Sequence, residues 1–569
     1  MTAVQQWQVA PTAPTDHLTR FSHMPRQVAQ ILFNRGITDP AEAEQFIAGK
    51  WENDNPFMMK DMHKAVTRLR QAIRGGETIT VYGDFDADGV ASTALMVETL
   101  RALGANVQPY IPDRVDEGYG LNDEALDELA HQGVRLVLTV DCGIRAAEAV
   151  SRAMERGLEV IVTDHHSVGQ APPPAVAVIN PKQPHCPYPF KELAGVGIAF
   201  KLAQALLRSH NQVPITSKTV NLVEDDLLDL VALGTVADLV PLLGENRALV
   251  QRGLVKINEG QRPGLLSLIQ RSGLRLGQIG ATTIGFGLGP RVNAAGRMAH
   301  ANTAYQLLVA QYPGEADKLA DELNQLNRQR QQITVETQEQ AREQALIEGD
   351  DMPLLFAASP DFMEGIVGLA AGRLCEEFYR PAIVVHVGET QSRGSARSIP
   401  EFHITDALDQ CTDLLIRHGG HAAAAGFTVR NQDLPLLAQR LKALATEALA
   451  DKALQPTLSI DVEVGLGELN RRLYDCMIRL EPFGYANPAP VFLTRRLRLI
   501  SSRAVGTDRS HLKMVLSDGR VKWNTIAFRQ AHWLGHLPHY IDIAYQFELN
   551  EWNGREQLQL NVRDLRPAQ

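Results

Sequence analysis

The sequence predicts an α/β protein, with two α/β domains joined by a long helix and followed by an OB-like β-barrel. Three observations predict it. Between residues 77 and 181, short apolar β-rich runs alternate with helical stretches, which is the signature of a parallel sheet. A stretch of about 35 residues beginning EADKLADELNQLNRQRQQ has no Pro and no internal Gly. From about Pro456 onward the chain becomes β-rich and aromatic.

In chain order, residues 1–50 read as a small helical lead-in. PRQVAQILFNRGI has apolar residues near helical spacing, and Asp39-Pro40 has the form of a helix start. Residues 51–312 read as the first α/β domain. ETITVYGDF is a strand and ASTALMVETLRALG a helix closed by Gly104; RLVLTVDCG, IRAAEAVSRAMERG, LEVIVTDHH and AVAVINP continue the alternation. The segment around DLLDLVALGTVADLVPLLGENRALV reads as helical and sets Asp238 beside a Pro-terminated end. GFGLGPRVNAAGRMAHA is too Gly-rich for a helix interior and predicts a loop. Residues 313–350 read as one long helix bridging two domains. Residues 351–452 read as a second α/β domain, with MPLLFAASP and RPAIVVHVG as strands, GIVGLAAGRLCEEF as the helix between them, and a helix through LPLLAQRLKALATEALA at its end. Residues 453–569 hold five or so alternating strands, enough for a small barrel.

The length of 569 residues suits three or four domains. No apolar run approaches the roughly 18 residues of a membrane span, and MTAVQQWQVAPTAPTDH has neither the basic start nor the apolar middle of a signal peptide. The expectation is therefore a cytoplasmic protein with no membrane partner. The five cysteines are scattered without a CxxC pair, which disfavours both a disulfide framework and a thiolate zinc site. The formal net charge is −10, but the last 114 residues carry 15 Lys and Arg against 12 Asp and Glu. The acidic excess thus lies upstream and leaves the barrel free to meet an anionic partner.

VYGDFDADGVAS sets three aspartates at alternate positions, Asp84, Asp86 and Asp88, directly after an apolar strand. Charges of one sign that close repel and raise one another's pKa, so the chain must expect a cation there. Asp141 ends a second strand, Asp164-His165-His166 a third, and Asp238 a helix. Open α/β sheets bind ligands beyond the carboxyl ends of their strands, so these groups can converge on one crevice. A lone Asp at a strand end is usually a turn or cap residue; four such sites on one sheet are not. Carboxylates with neutral imidazole suit Mn²⁺ or Mg²⁺. Their number suits two ions bridged by a shared carboxylate, a pair that activates water against a phosphoryl group. Asp141 is the expected bridge, because its strand lies between the other groups.

GDFDADG, DCG, DHH and GTVADLVPL in this order resemble the DHH phosphoesterase superfamily. GPRVNAAGRM, RGSARSIP, RHGGHAAAAGF and LEPFGYANPAPVF extend the resemblance, from about residue 50 to the end, to its single-strand-specific 5′→3′ DNA exonucleases. The resemblance implies a DHH catalytic domain at 51–312, a DHH-associated substrate-binding domain at 351–452 and a nucleic-acid-binding barrel. It implies that Asp84, Asp86, Asp88, Asp141, His165 and Asp238 hold Mn²⁺ or Mg²⁺, with Asp164 and His166 completing the catalytic set. It implies terminal-phosphate binding in the second domain. Ser395 and Arg397, with Arg393 and Ser398 nearby, suit that task, since guanidinium forks match phosphate. Gly419-Gly420 would let backbone approach the nucleotide, His421 would sit near the scissile group, and Arg291 and Arg297 would reach a phosphate from the Gly-rich loop. In the barrel, Arg495, Arg496, Arg498, Arg503, Arg509, Lys513 and Lys522 are interleaved with Tyr485, Trp523 and Phe528, a composition suited to stacking and tracking a single strand. The expected activity is hydrolysis of single-stranded DNA to mononucleotides in repair and recombination. The partners implied are single-strand-binding protein and a RecQ-type helicase, and the expected state is a monomer. The alternative is a relative acting on oligonucleotides, cyclic dinucleotides or pyrophosphate.

Overall fold

The computed structural model describes residues 5–347, 349, 352–552 and 555–568. The chain forms two compact units, one drawn from residues 51–454 and the other from residues 4–50 together with 455–569.

The second unit starts with β1 (Gln6–Val9), α1 (Arg26–Asn34) and α2 (Pro40–Ala48). Asp39 caps α2 as its sequence suggested, its Oδ1 accepting from Ala41 N (2.8 Å) and Glu42 N (3.1 Å).

The first unit opens on a five-stranded sheet. Its strands are β2 (Thr78–Tyr82), β3 (Asn106–Tyr110), β4 (Leu136–Val140), β5 (Glu159–Thr163) and β6 (Ala177–Ile179). They lie in the order β3-β2-β4-β5-β6, every pair parallel. Central strand β4 is buried along its whole length, as a strand covered on both faces must be. α3 (Ala87–Ala102) follows β2 and is buried on nearly every side, under α4 (Gly195–Gln212) and α5 (Leu228–Ala237). α3 and α5 each reach the carboxyl end of the sheet with one terminus. Their other ends are tied by Arg262, the residue before α7 (Pro263–Arg271); α6 (Gly244–Glu259) lies between α5 and α7 in the chain. Arg262 Nε donates to Asp229 Oδ2 on α5 (2.6 Å) and Nη1 to Glu98 Oε2 on α3 (2.9 Å).

The segment expected as a Gly-rich loop is helical instead. It forms a π turn at Ile284–Leu288 and then α8 (Gly289–Met298). Its glycines serve close packing rather than bending. A Cβ at Gly289 would lie 3.2 Å from that of Ala237, and one at Gly296 would strike the Phe85 carbonyl. Pro290 is the second residue of α8, directly after the π turn.

α9 (Pro313–Leu346) is one 34-residue helix packed against α7 and α8 at one end and the second sheet at the other, as its uninterrupted sequence predicted. That sheet comprises β7 (Leu355–Ser359), β8 (Ala382–Val387), β9 (Gln391–Arg397), β10 (Leu415–His421) and β11 (Ala424–Arg430), in the order β10-β11-β9-β8-β7. Only β7 and β8 pair in parallel; α10 (Glu364–Phe378) makes their crossover, and α11 (Leu434–Leu449) follows β11. RHGGHAAAAGF falls in the edge hairpin β10–β11.

The second unit resumes with β12 (Thr457–Ile460), which pairs in parallel with β1, and β13 (Val462–Glu463). β14 (Phe492–Val505), β15 (His511–Ser517), β16 (Lys522–Ala527), β17 (Tyr540–Trp552) and β18 (Arg555–Pro567) close a five-stranded barrel in the order β14-β15-β16-β18-β17 and back to β14. The OB-like barrel is thus observed. Phe21, Ile31 and Leu32 of the N-terminal segment share its core with Leu466, Phe492, Tyr545 and Leu560. Among the described residues, no helix is long and apolar enough to cross a membrane.

Candidate metal centre

Four chain segments deliver acids to the carboxyl ends of β2, β4 and β5. After β2 the chain turns straight into α3. Asp86 caps that helix with Oδ1, which accepts from Asp88 N (2.9 Å) and Gly89 N (3.0 Å) and leaves Oδ2 free. The Asp88 oxygens accept from Gly195 N (2.7 Å) and Val196 N (3.0 Å) at the start of α4. Asp141 ends β4 with a left-handed backbone, φ 63°. Asp238 is the C-cap of α5.

Side-chain ligand atoms gather into three overlapping groups, each within 4.8 Å: Asp84, Asp86 and Asp141; Asp141, His165 and His166; Asp88, His165 and Asp238. Asp141 and His165 belong to two groups each. Acids scattered along the sequence thus lie in one crevice.

Several of these atoms lack protein partners. Asp84 Oδ1, Asp141 Oδ1, Asp238 Oδ2 and both His165 ring nitrogens are buried without a hydrogen bond. His165 Nε2 lies 3.2 Å from Asp141 Oδ1 and 3.5 Å from Asp238 Oδ2. Burial, and then the charge of Asp86, pushes Asp84 up to about 8 and Asp88 up to about 7. Burial and the neighbouring aspartates raise Asp141 and Asp238 as well. Burial pulls His165 down to about 3, which keeps its ring neutral with a lone pair to offer. Orphaned oxygens that repel one another, beside a neutral imidazole, fit hard or borderline dications such as Mn²⁺ and Mg²⁺.

Asp164 stands outside the three groups. Its Oδ2 accepts from Ile144 N (2.9 Å), and its Oδ1 lies 2.7 Å from His166 Nδ1 and accepts from His166 N (3.0 Å). Burial would lower His166, but the contact with Asp164 outweighs it and raises the imidazole.

The second domain faces this crevice. Arg397 lies along β9, its Nη1 donating to Ser395 Oγ (3.1 Å), and glycines leave room for the pair, because a Cβ at Gly368 would lie 2.9 Å from Ser395 Oγ. Arg297 donates to the Gly365 carbonyl (3.1 Å) at the start of α10. Burial, then the charge of Arg114, pulls it down to about 9. Gly420 and His421 line a cavity of about 330 Å³ with Asp164, His166 and Arg145, and Gly419 lines a neighbouring one of about 500 Å³ with Ser395 and Arg114.

Three other expected residues are engaged by protein partners. Arg291 is turned to α9, donating to Asn324 Oδ1 (2.6 Å) and the Gly287 carbonyl (2.7 Å), because its segment is a helix whose faces are fixed rather than a loop. Arg393, held by Glu364, lines the same cavity as Ser395 and Gly419, and Ser398 Oγ donates to the Phe402 carbonyl.

Two residues with no motif to mark them also enter the site. The Arg114 guanidinium stacks 3.8 Å from the Phe85 ring and donates to the Gly296 carbonyl. Tyr119 lines both cavities, its hydroxyl 3.1 Å from His166 Nδ1. Both lie in the connection after β3, and their one signal in the sequence is that position past a strand's carboxyl end.

Three family models match parts of the chain. The family described as "DHH family, N-terminal domain" matches residues 78–235, the "DHHA1 domain" matches 351–448 and the "RecJ OB domain" matches 460–564. The chain is 40% identical over 553 residues to the single-stranded-DNA-specific exonuclease RecJ of Bacillus subtilis (strain 168), covering 96% of this chain and 69% of that protein. It is 36% identical over 567 residues to the protein of the same description from Escherichia coli (strain K12), covering 96% of each. Among solved structures, the crystal structure of RecJ in complex with Mn²⁺ from Thermus thermophilus superposes with a TM-score of 0.85 at 30% identity, over 99% of this chain and 80% of the other; the Mg²⁺ complex gives 0.79 at 29% identity.

Proposed function

Because this chain belongs to the RecJ family, we propose that it is a metal-dependent exonuclease that hydrolyses single-stranded DNA from the 5′ end to mononucleotides. The observation that carries the reading is the three overlapping groups of carboxylates and imidazoles, each within 4.8 Å, in which Asp84, Asp141, His165 and Asp238 bury ligand atoms that no hydrogen bond satisfies.

Asp84, Asp86, Asp88, Asp141, His165 and Asp238 would hold two ions, Mn²⁺ or Mg²⁺, with Asp141 common to both. Bound there, the pair supplies an activated water and charge stabilisation for in-line displacement at a phosphodiester. The chain's own residues do the rest. Asp88, anchored on the first N–H groups of α4, and Asp86, anchored on those of α3, fix the acids before any ion arrives. Asp164 holds His166 Nδ1 and favours the protonated ring, which would leave Nε2 to donate toward the reacting phosphate. Arg297, Arg397, Ser395 and Arg114 would take the terminal phosphate, and their distance from the acids would set the length of the product. Gly419, Gly420 and His421 bring the β10–β11 edge to the nucleotide.

The proposed division of labour is catalysis in 51–312, spacing by 313–350, end recognition in 351–452 and strand holding in 453–569. Repair and recombination, with single-strand-binding protein and a RecQ-type helicase, form the setting proposed for the activity.

The test offers long single-stranded DNA, a dinucleotide and pyrophosphate, each with Mn²⁺ and with EDTA. Metal-dependent loss of the long strand from its 5′ end is expected. Cleavage confined to the small substrates would instead favour a small-phosphoester hydrolase.

A further inference from the structure

Phe286 is 85% exposed, more than any other large apolar side chain among the described residues. Its setting is built. It sits in the π turn Ile284–Leu288, between Gly285 and Gly287, immediately before α8. π turns within helices recur at functional sites. The turn packs on the end of α5 that delivers Asp238: a Cβ at Gly285 would lie 3.9 Å from Val236, and one at Gly289 would lie 3.2 Å from Ala237. Directly after Asp238, Leu239 is also 69% exposed and takes φ 61°, a backbone that a leucine adopts only when its surroundings impose it. Arg291, one turn further on, holds the π turn by donating to the Gly287 carbonyl, and the charge of Arg328 on α9 acts on it. An exposed aromatic ring beside the terminus that delivers a metal-centre acid is suited to stacking a nucleobase, since every base offers a π-face.

α8 orients this platform. Its first residues touch Ala237, Asn293 in its middle accepts from Ala87 N at the start of α3 (2.7 Å), and Arg297 near its end donates to Gly365. The helix therefore runs along the metal-centre acids, with Arg297 and its neighbours at one end and Phe286 at the other. Eleven residues at 1.5 Å rise separate them by about 16 Å.

We propose that Phe286 is the stacking platform for a nucleobase on the 3′ side of the scissile bond, with Leu239 as the edge over which the strand passes. The inference rests on the exonuclease reading and on terminal-phosphate binding at the Arg297 end. It assigns to Phe286 a specificity role, the preference for a strand longer than the two nucleotides flanking the cut.

The experiment compares long oligothymidylate with a 5′-phosphorylated dinucleotide, both in Mn²⁺, for the wild type, Phe286→Ala and Phe286→Trp. One stacked base lost should raise KM for the long strand about tenfold in Phe286→Ala, with kcat nearly unchanged. The same variant should hydrolyse the dinucleotide at the wild-type rate. Phe286→Trp should restore KM, and in EDTA its fluorescence should be quenched by the long strand but not by the dinucleotide. An equal loss on both substrates would place the residue in the fold of the metal centre and overturn the proposal, as would an unchanged KM for the long strand. A wild-type chain that degrades neither DNA would instead overturn the exonuclease reading itself.

Discussion

Asp141 reaches the metal centre on a backbone of φ 63°, held by its N–H donating to the Thr163 carbonyl (3.0 Å). A non-glycine residue in this region stores roughly 1–3 kcal/mol of strain, and its carboxylate is further disfavoured by burial among like charges. Asp141→Asn should therefore cut opposite ways. Hydrolysis should fall about 10³-fold or more, on the order of 4 kcal/mol of barrier, while strand binding persists and the metal-free protein melts higher than the wild type. Rate measurements and thermal melts in EDTA check both; substantial activity would refute the shared-ligand role. A related prediction concerns pH. Asp84 and Asp88 are raised in the fold to about 8 and about 7, so between roughly pH 4, where the unfolded groups titrate, and those values the folded state binds protons that the unfolded state has lost. Stability of the metal-free protein should accordingly fall as pH rises across that window, by up to about 1.4 kcal/mol per unit for each group, and Mn²⁺ should restore more at pH 8 than at pH 5. A metal-free melting temperature that rises from pH 5 to pH 8 would contradict the burial of unpaired acids. The acids are legible in the sequence because each follows an apolar run at the end of a predicted strand or helix. Tyr119 and Arg114 are not, since nothing local distinguishes them from loop residues. Arg291 points to the crevice only when its helix is read as a loop.

Helices α3 and α5 act as two levers. One terminus of each holds acids, Asp86 and Asp88 on α3 and Asp238 on α5, and the other termini meet at Arg262 through Glu98 and Asp229. Burial works against that guanidinium, but the two carboxylates outweigh it and raise it. Arg262→Met should leave Asp229 buried and unpaired and cost about 3–5 kcal/mol of stability; equilibrium unfolding in urea measures it, and a loss below about 1 kcal/mol would show the tie to be redundant. The parallel strands, the long helix and the α2 cap are readable because periodicity, absence of breakers and Asp-Pro are local signals. The π turn and α8 are not. Glycine reads as a helix breaker by propensity, whereas Gly289 and Gly296 are there so that helices and the Phe85 carbonyl can approach, a tertiary demand invisible in one sequence. The β10–β11 hairpin is hidden by the same ambiguity.

In the whole molecule the N-terminal segment is structural to the barrel. β1 completes a strand pair with β12, Trp7 Nε1 donates to Asp564 Oδ2 (2.7 Å), and Phe21, Ile31 and Leu32 fill the barrel's core. Removing residues 1–50 should expose that core, lower the unfolding temperature of this unit by about 10 °C for a few kcal/mol lost, and leave the melting of residues 51–454 in place; calorimetry on the truncated chain checks it, and an unchanged profile would refute it. Pairing between positions roughly 400 or more residues apart leaves no trace in composition, which is why residues 1–50 read as a simple lead-in. The same pairing dictates an order of events at the ribosome. The nuclease unit can close once residue 454 emerges, but the first helices, which end at Ala48, must wait for a barrel whose last strand ends at Pro567, about 520 further residues and roughly 25–100 s at bacterial elongation rates. During that interval Phe21, Ile31 and Leu32 are a bare greasy handle on a growing chain, a natural client for whatever holdase shields nascent protein.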